Sequence, residues 1–144
     1  MIEFRKGWNN ILTKIIVLVW AMYTTIVFTT NLTDLKYEFD LFETSFRSGN
    51  FEFLQMIMDS SEGVVMFVFI FGIVWQGVTA YFFWNAIVNR RKEDIMTAFS
   101  LLITFFGAFI VMTEFFLAYN VAPVYIRLFI ALLVSVVTIN VIED

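Results

Sequence analysis

Four long apolar runs alternate with short polar segments along the chain, at about 8–29, 64–89, 95–119 and 123–141. An α-helix rises about 1.5 Å per residue and the hydrocarbon core of a bilayer is about 30 Å thick, so about 20 apolar residues suffice to cross it. Each run meets that length, and the pattern predicts four membrane-crossing helices. Arg5 and Lys6 before the first run resemble the start of a secretory signal. Signals have shorter apolar cores and end in a small-residue cleavage site, whereas this run continues through Val19, Trp20, Met22, Tyr23, Ile26, Val27 and Phe28. A retained first helix is expected.

The segment 31–62 is the one extended polar region, and it is acidic: Asp34, Glu38, Asp40, Glu43, Glu52, Asp59 and Glu62 stand against Lys36 and Arg47. It is patterned nonetheless. Leu32, Leu35, Phe39, Phe42 and Phe46 recur at spacings of three and four, which places them on one helical face with most charges elsewhere. Leu35, Phe39, Phe42 and Phe46 are the core of that outer amphipathic face. A second apolar cluster, Phe51, Phe53, Leu54, Met56, Ile57 and Met58, follows it. A short amphipathic helix over the mouth of the bundle is predicted here, serving either as cover or as a docking surface. Asp59 or Ser60 caps the second spanning helix in this reading, with Glu62 completing a capping box. The fold class expected is therefore all-α: an integral membrane four-helix bundle in one domain, 1–144, with a short amphipathic helical segment in its first extracytoplasmic loop.

Composition agrees with a lipid-facing surface. Of 144 residues, 60% are hydrophobic and 15% charged, well below the quarter or so of charged residues in soluble domains. Cysteine and histidine are both absent, which removes disulfides, thiolate chemistry, the commonest metal ligand and the usual acid or base near neutral pH. A net charge of −4 disfavours nucleic acid, whose backbone requires a basic footprint.

Positive residues near helix ends mark the cytoplasmic face. Arg5, Lys6 and Lys14 flank the first run, and Arg90, Arg91 and Lys92 fill the turn between the second and third. With four crossings these clusters fall on one side and the acidic segment on the other, so both termini are expected in the cytoplasm and the protein in the plasma membrane. Trp8, Trp84, Tyr119 and Tyr125 fit interfacial belts, whereas Trp20 and Trp75 should lie deeper.

Two charged residues, Glu114 and Arg127, fall within the last two runs. The short turn between those runs places them at similar depth, and a carboxylate in hydrocarbon calls for a partner. An interhelical ion pair between Glu114 and Arg127 is expected, with outward snorkelling of Arg127 as the alternative. Small and polar residues trace helix seams beside it: Gly72, Gln76 and Ala80 on the second helix, Ser100, Thr104 and Gly107 on the third, Arg127, Ala131, Ser135 and Thr138 on the fourth.

No glycine-rich phosphate loop, metal cluster or nucleophile–base constellation occurs, so neither cofactor nor enzymatic activity is expected. Asp40 and Glu43 lie three apart but read as solvated surface, and Asn31-Leu32-Thr33 matches a glycosylation acceptor of low specificity. The expectation is a non-enzymatic membrane interaction protein, such as a small subunit, sensor or protective factor. Its partners are the lipid bilayer and either further copies of itself or another membrane protein. The alternative is a small oligomeric ion channel or transporter using Glu114, Gln76, Thr104 and Thr24 around a polar path.

Overall fold

In the computed structural model, residues 10–38, 48–58, 60–116 and 122–143 are described. They form α1 (Ile11–Glu38), α2 (Asn50–Met58), α3 (Glu62–Asn89), α4 (Lys92–Phe115) and α5 (Ala122–Glu143). α1, α3, α4 and α5 are long and apolar enough to cross a membrane, and α2 is the short helix between the first two crossings. The chain is a multi-pass helical membrane protein.

α1 runs on from Thr29, where the apolar run ends, to Glu38 without a break. Nothing between them forces a stop, since the stretch holds neither glycine nor proline. The first part of the acidic segment is therefore a helical extension of α1, and the short amphipathic helix expected in this loop is present over the Phe51–Met58 cluster. Of the predicted amphipathic face, Leu35 is half-buried against the core beneath α2. Phe39, Phe42 and Phe46 lie outside the described residues, as do Asp40 and Glu43.

Threonines are frequent in α1, and in apolar surroundings each hydroxyl requires a partner. For five of the six their own helix supplies it, whereas the buried Thr13 hydroxyl has no partner among the described residues. Thr24 Oγ1 donates to the Trp20 and Ala21 carbonyls, Thr25 to Ala21, Thr29 to Thr25, Thr30 to Ile26 and Val27, and Thr33 to Thr30. Hydroxyls bonded in this way face lipid or core at little cost.

α1 packs along α3, α3 along α4 and α4 along α5, while α1 meets α5 sparingly. α5 is the least buried of the four spans. One core lies between all four, built around Val17, Phe83, Ile95, Phe99, Leu132 and Ile139. A second lies at the acidic end, where Phe51, Leu54 and Met58 of α2 pack on Val65, Phe69 and Ile73 of α3. The rings of Phe51 and Phe69 meet edge to face at 5.5 Å, a favoured aromatic geometry. α2 is thus folded down onto the bundle.

Helix ends follow local chemistry with two departures from expectation. Ser61 occupies the N-cap of α3 but makes no side-chain cap bond, and the Ser60 hydroxyl donates instead to the Met58 carbonyl; Asp59 lies outside the described residues. α4 ends at Phe115, with the Phe116 N–H closing onto the Met112 carbonyl at 3.0 Å, earlier than the apolar run implies. Pro123 sits in the first turn of α5, where its missing N–H has no intrahelical partner to lose.

Arg90 ends α3 in the left-handed conformation, φ 55° and ψ 41°, its N–H bonded to the Ala86 carbonyl at 2.9 Å. Glycine is the residue that adopts this backbone without a Cβ penalty. Arg90→Gly should therefore stabilise the α3–α4 hairpin by about 1 kcal/mol, while Arg91 and Lys92 keep the turn basic. The expected result is an apparent melting temperature in detergent a few degrees above that of the parent; an unchanged or lower value would show that the arginine side chain contributes more than the strained backbone costs.

Candidate functional site

Buried polar side chains converge where α1, α2 and α3 meet. Asn31 Nδ2 donates to Gln76 Oε1 at 2.7 Å, and Asn50 Nδ2 donates to Asn31 Oδ1 at 2.7 Å. The three amides form a relay from the start of α2, through α1, to the middle of α3. One turn further along α1, Asp34 is fully buried, and its Oδ2 accepts the Ser48 hydroxyl at 2.9 Å and the Phe51 N–H at 3.2 Å. Ser48 Oγ in turn accepts the Asn50 N–H at 3.1 Å.

This arrangement follows from the chemistry of a helix start. The first N–H groups of α2 have no intrahelical acceptor, and the N-terminus carries partial positive charge. Asp34 supplies both an acceptor and a negative charge from a neighbouring helix. Gly49, at φ +70°, turns the chain into α2 in a conformation that suits glycine. The acidic segment is held to the bundle by hydrogen bonds as well as by its phenylalanines.

Beneath the relay is a partly enclosed cavity of about 170 Å³ to which all five helices contribute. Asn31, Asn50 and Gln76 form a polar patch on its wall, Tyr23 and Tyr125 enter from α1 and α5, and Phe105, Phe106 and Phe109 of α4 supply much of the remainder. Tyr125 packs on Phe109 at 5.0 Å, and both tyrosine rings lie within 6.5 Å of the Phe106 ring. Further towards the basic end the interior is filled by Val17, Phe83, Ile95 and Phe99. Among the described residues the amide relay does not continue into a polar path through the protomer.

The predicted site residues divide into several groups. Gln76 is buried and central, and its neighbours on the expected strip behave consistently: Ala80 is buried and Gly72 lines the cavity. Ser135 joins α5 to α1 by accepting the Trp20 indole N–H at 3.0 Å, while its own hydroxyl donates to the Ala131 carbonyl. Gly107 faces α5, since a methyl group there would come within 3.8 Å of the Phe129 ring. Ser100 and Thr104 are exposed, and Thr104 donates to the Ser100 carbonyl of its own helix.

Glu114 and Arg127 are both exposed, and no ion pair joins them among the described residues, where Arg91–Glu93 at 3.2 Å is an exposed pair in the α3–α4 turn. Because α4 ends at Phe115, Glu114 occupies its last turn, which removes much of the need for a buried partner. Asn31 lies within α1 with its amide nitrogen committed to Gln76, so the folded protein offers no glycosylation acceptor there. Trp75 and Trp84 also act as ties between helices: Trp75 donates to the Leu101 carbonyl at 3.0 Å, and the exposed Trp84 to Thr25 Oγ1 at 2.9 Å.

Among the described residues, no group of three or more acidic side chains is placed to hold a metal ion. In comparisons with known proteins, no family matches the chain, and no curated protein or solved structure is significantly similar to it.

Proposed function

We propose that this multi-pass membrane protein is a non-enzymatic interaction protein, a small subunit, sensor or protective factor that acts by assembling with itself or with another membrane protein. The observation that carries the reading is the exposure of Glu114 and Arg127 on the flanks of α4 and α5, with no ion-pair partner among the described residues. Charges beside lipid favour a position where a second charge, a headgroup or water reaches them. A neighbouring protein carrying complementary charge would satisfy both at once. The positive-inside pattern puts these residues near the extracytoplasmic face, on the same side as the docked α2.

A channel formed by one protomer is disfavoured by the apolar plug around Phe83 and Phe99 and by the commitment of the Thr24 and Thr104 hydroxyls to their own helices. Conduction would have to run between protomers. Extraction into nanodiscs with native lipids, followed by mass measurement, tests the assembly reading. We expect a defined oligomer or heteromeric complex, and we expect Glu114→Gln with Arg127→Gln to dissociate it while leaving the melting temperature of the protomer unchanged. Monomers throughout would refute assembly. Selective flux in liposomes that is lost in Glu114→Gln would replace this reading with the channel.

A further inference from the structure

The cavity beneath the amide relay has the chemistry of a binding site for a lipophile, and its uncommitted polar groups include donors. Gln76 is buried, and its Oε1 is occupied by Asn31, but its Nε2 has no protein partner among the described residues. The Tyr23 and Tyr125 hydroxyls likewise make no hydrogen bond among the described residues. Gln76 Nε2 can only donate, and the tyrosine hydroxyls can donate as well as accept, so an occupant bearing an acceptor can engage all three of these lining residues.

Size and shape restrict that occupant. An engineered apolar cavity of about 150 Å³ holds a benzene ring, and this one, at about 170 Å³, takes a head of one substituted ring. Its walls are rings themselves: Tyr23, Phe106 and Phe109 surround the space into which Tyr125 projects. Flat aromatic walls favour a flat guest. No charged side chain lines the cavity among the described residues, which selects an uncharged head, because an ion would lose its hydration without compensation.

We propose that the cavity binds an uncharged lipophile whose flat, ring-sized head bears a carbonyl acceptor, as in the quinone and aryl-ketone classes, with the carbonyl oxygen taking hydrogen bonds from Gln76 and the two tyrosines. Such a molecule reaches the protein by partitioning into the bilayer. Occupancy and assembly are independent properties: a monomer could bind the lipophile, and an oligomer could have an empty cavity.

The test uses the full chain in phosphatidylcholine nanodiscs, with decyl-1,4-benzoquinone as probe and decylbenzene and dioleoylglycerol as comparisons, and native mass spectrometry to count bound molecules. One decyl-1,4-benzoquinone per protomer, bound saturably and in preference to both comparisons, is expected. Tyr23→Phe combined with Tyr125→Phe retains the rings and should weaken binding by about tenfold, the loss of one to two net hydrogen bonds. Gly72→Leu provides the second arm. A Cβ at Gly72 meets only Phe105, at an ordinary 3.9 Å, so the leucine should fill the cavity, abolish binding and leave the melting temperature at or above that of the parent. Equal binding of decylbenzene would overturn the acceptor assignment, and tighter binding of dioleoylglycerol would overturn the ring. Unchanged binding in Gly72→Leu would place the probe elsewhere.

Discussion

Asp34→Ala should release α2 from the bundle. In the parent, the Asp34 carboxylate is fully buried and accepts both the Ser48 hydroxyl and the Phe51 N–H. Ser48 is half-buried and its hydroxyl can turn towards water, but Phe51 is buried, and an orphaned backbone donor costs about 1–3 kcal/mol. The favourable charge at the N-terminus of α2 is lost with it, worth a further ~0.3–1 kcal/mol. Against these stands the relief of a desolvated carboxylate, which reduces the net loss. A destabilisation of about 2 kcal/mol remains, concentrated on a nine-residue helix that is too short to persist alone.

The readout is hydrogen exchange over residues 50–58, which should approach unprotected rates in Asp34→Ala while α3 and α4 retain their protection. Asp34→Asn supplies the calibration. Both bonds end on Oδ2, so an asparagine with its carbonyl oxygen in that place keeps the acceptor but loses the negative charge, and its effect should fall between parent and alanine. If Asp34→Asn proved more stable than the parent, desolvation of the carboxylate would outweigh its hydrogen bonds, and Asp34 would not be the anchor described.

The four crossings are legible in the sequence because their signal is length: an uninterrupted apolar run of about 20 residues matches the thickness of a bilayer and exceeds what most soluble helices bury. The amide relay has no such signal. Asn31 and Gln76 are 45 positions apart and Asn31 and Asn50 are 19 apart, and no periodicity links a buried amide to its partner. Asn31 and Asp34 resemble the beginning of a solvated loop because polarity ordinarily marks the end of a membrane span. Local geometry leaves α1 unbroken there, and tertiary contacts bury the polar groups. Gln76 is legible because Gly72 and Ala80 share its face, a signal internal to one helix.

Polarity misleads in the opposite sense at Ser100 and Thr104. A hydroxyl that back-bonds to its own helix is nearly neutral towards lipid, so its presence does not say which way it faces. Glu114 depends on where the helix stops, and an apolar sequence extending to about 119 gives no indication of the turn at Phe116. Side-chain pairing at membrane depth is therefore readable only once helix ends are known.

Gly77 sets how closely α1 approaches α3, and enlarging it should disturb the whole acidic end. A Cβ at this position would lie 2.9 Å from one ring atom of Phe28, closer than folded side chains tolerate, and a tight 3.3 Å from another. Phe28 and Asn31 are one helical turn apart on α1, so the contact that admits Phe28 over Gly77 also delivers Asn31 to within 2.7 Å of Gln76. Gly77→Ala obliges the ring to move by several tenths of an ångström at a cost of about 1 kcal/mol, whereas Gly77→Leu forces the helices apart at about 2–3 kcal/mol. In Gly77→Leu the relay should break, and hydrogen exchange should rise over α2 as well as along the α1–α3 seam. Phe28→Ala makes room for the leucine, so the double variant Phe28→Ala/Gly77→Leu should be more stable than the sum of its single changes by at least about 1 kcal/mol, the coupling expected of residues in direct contact. Additivity between the two positions would mean that Gly77 is tolerated there for some reason other than the ring above it, and that the helix spacing is set elsewhere.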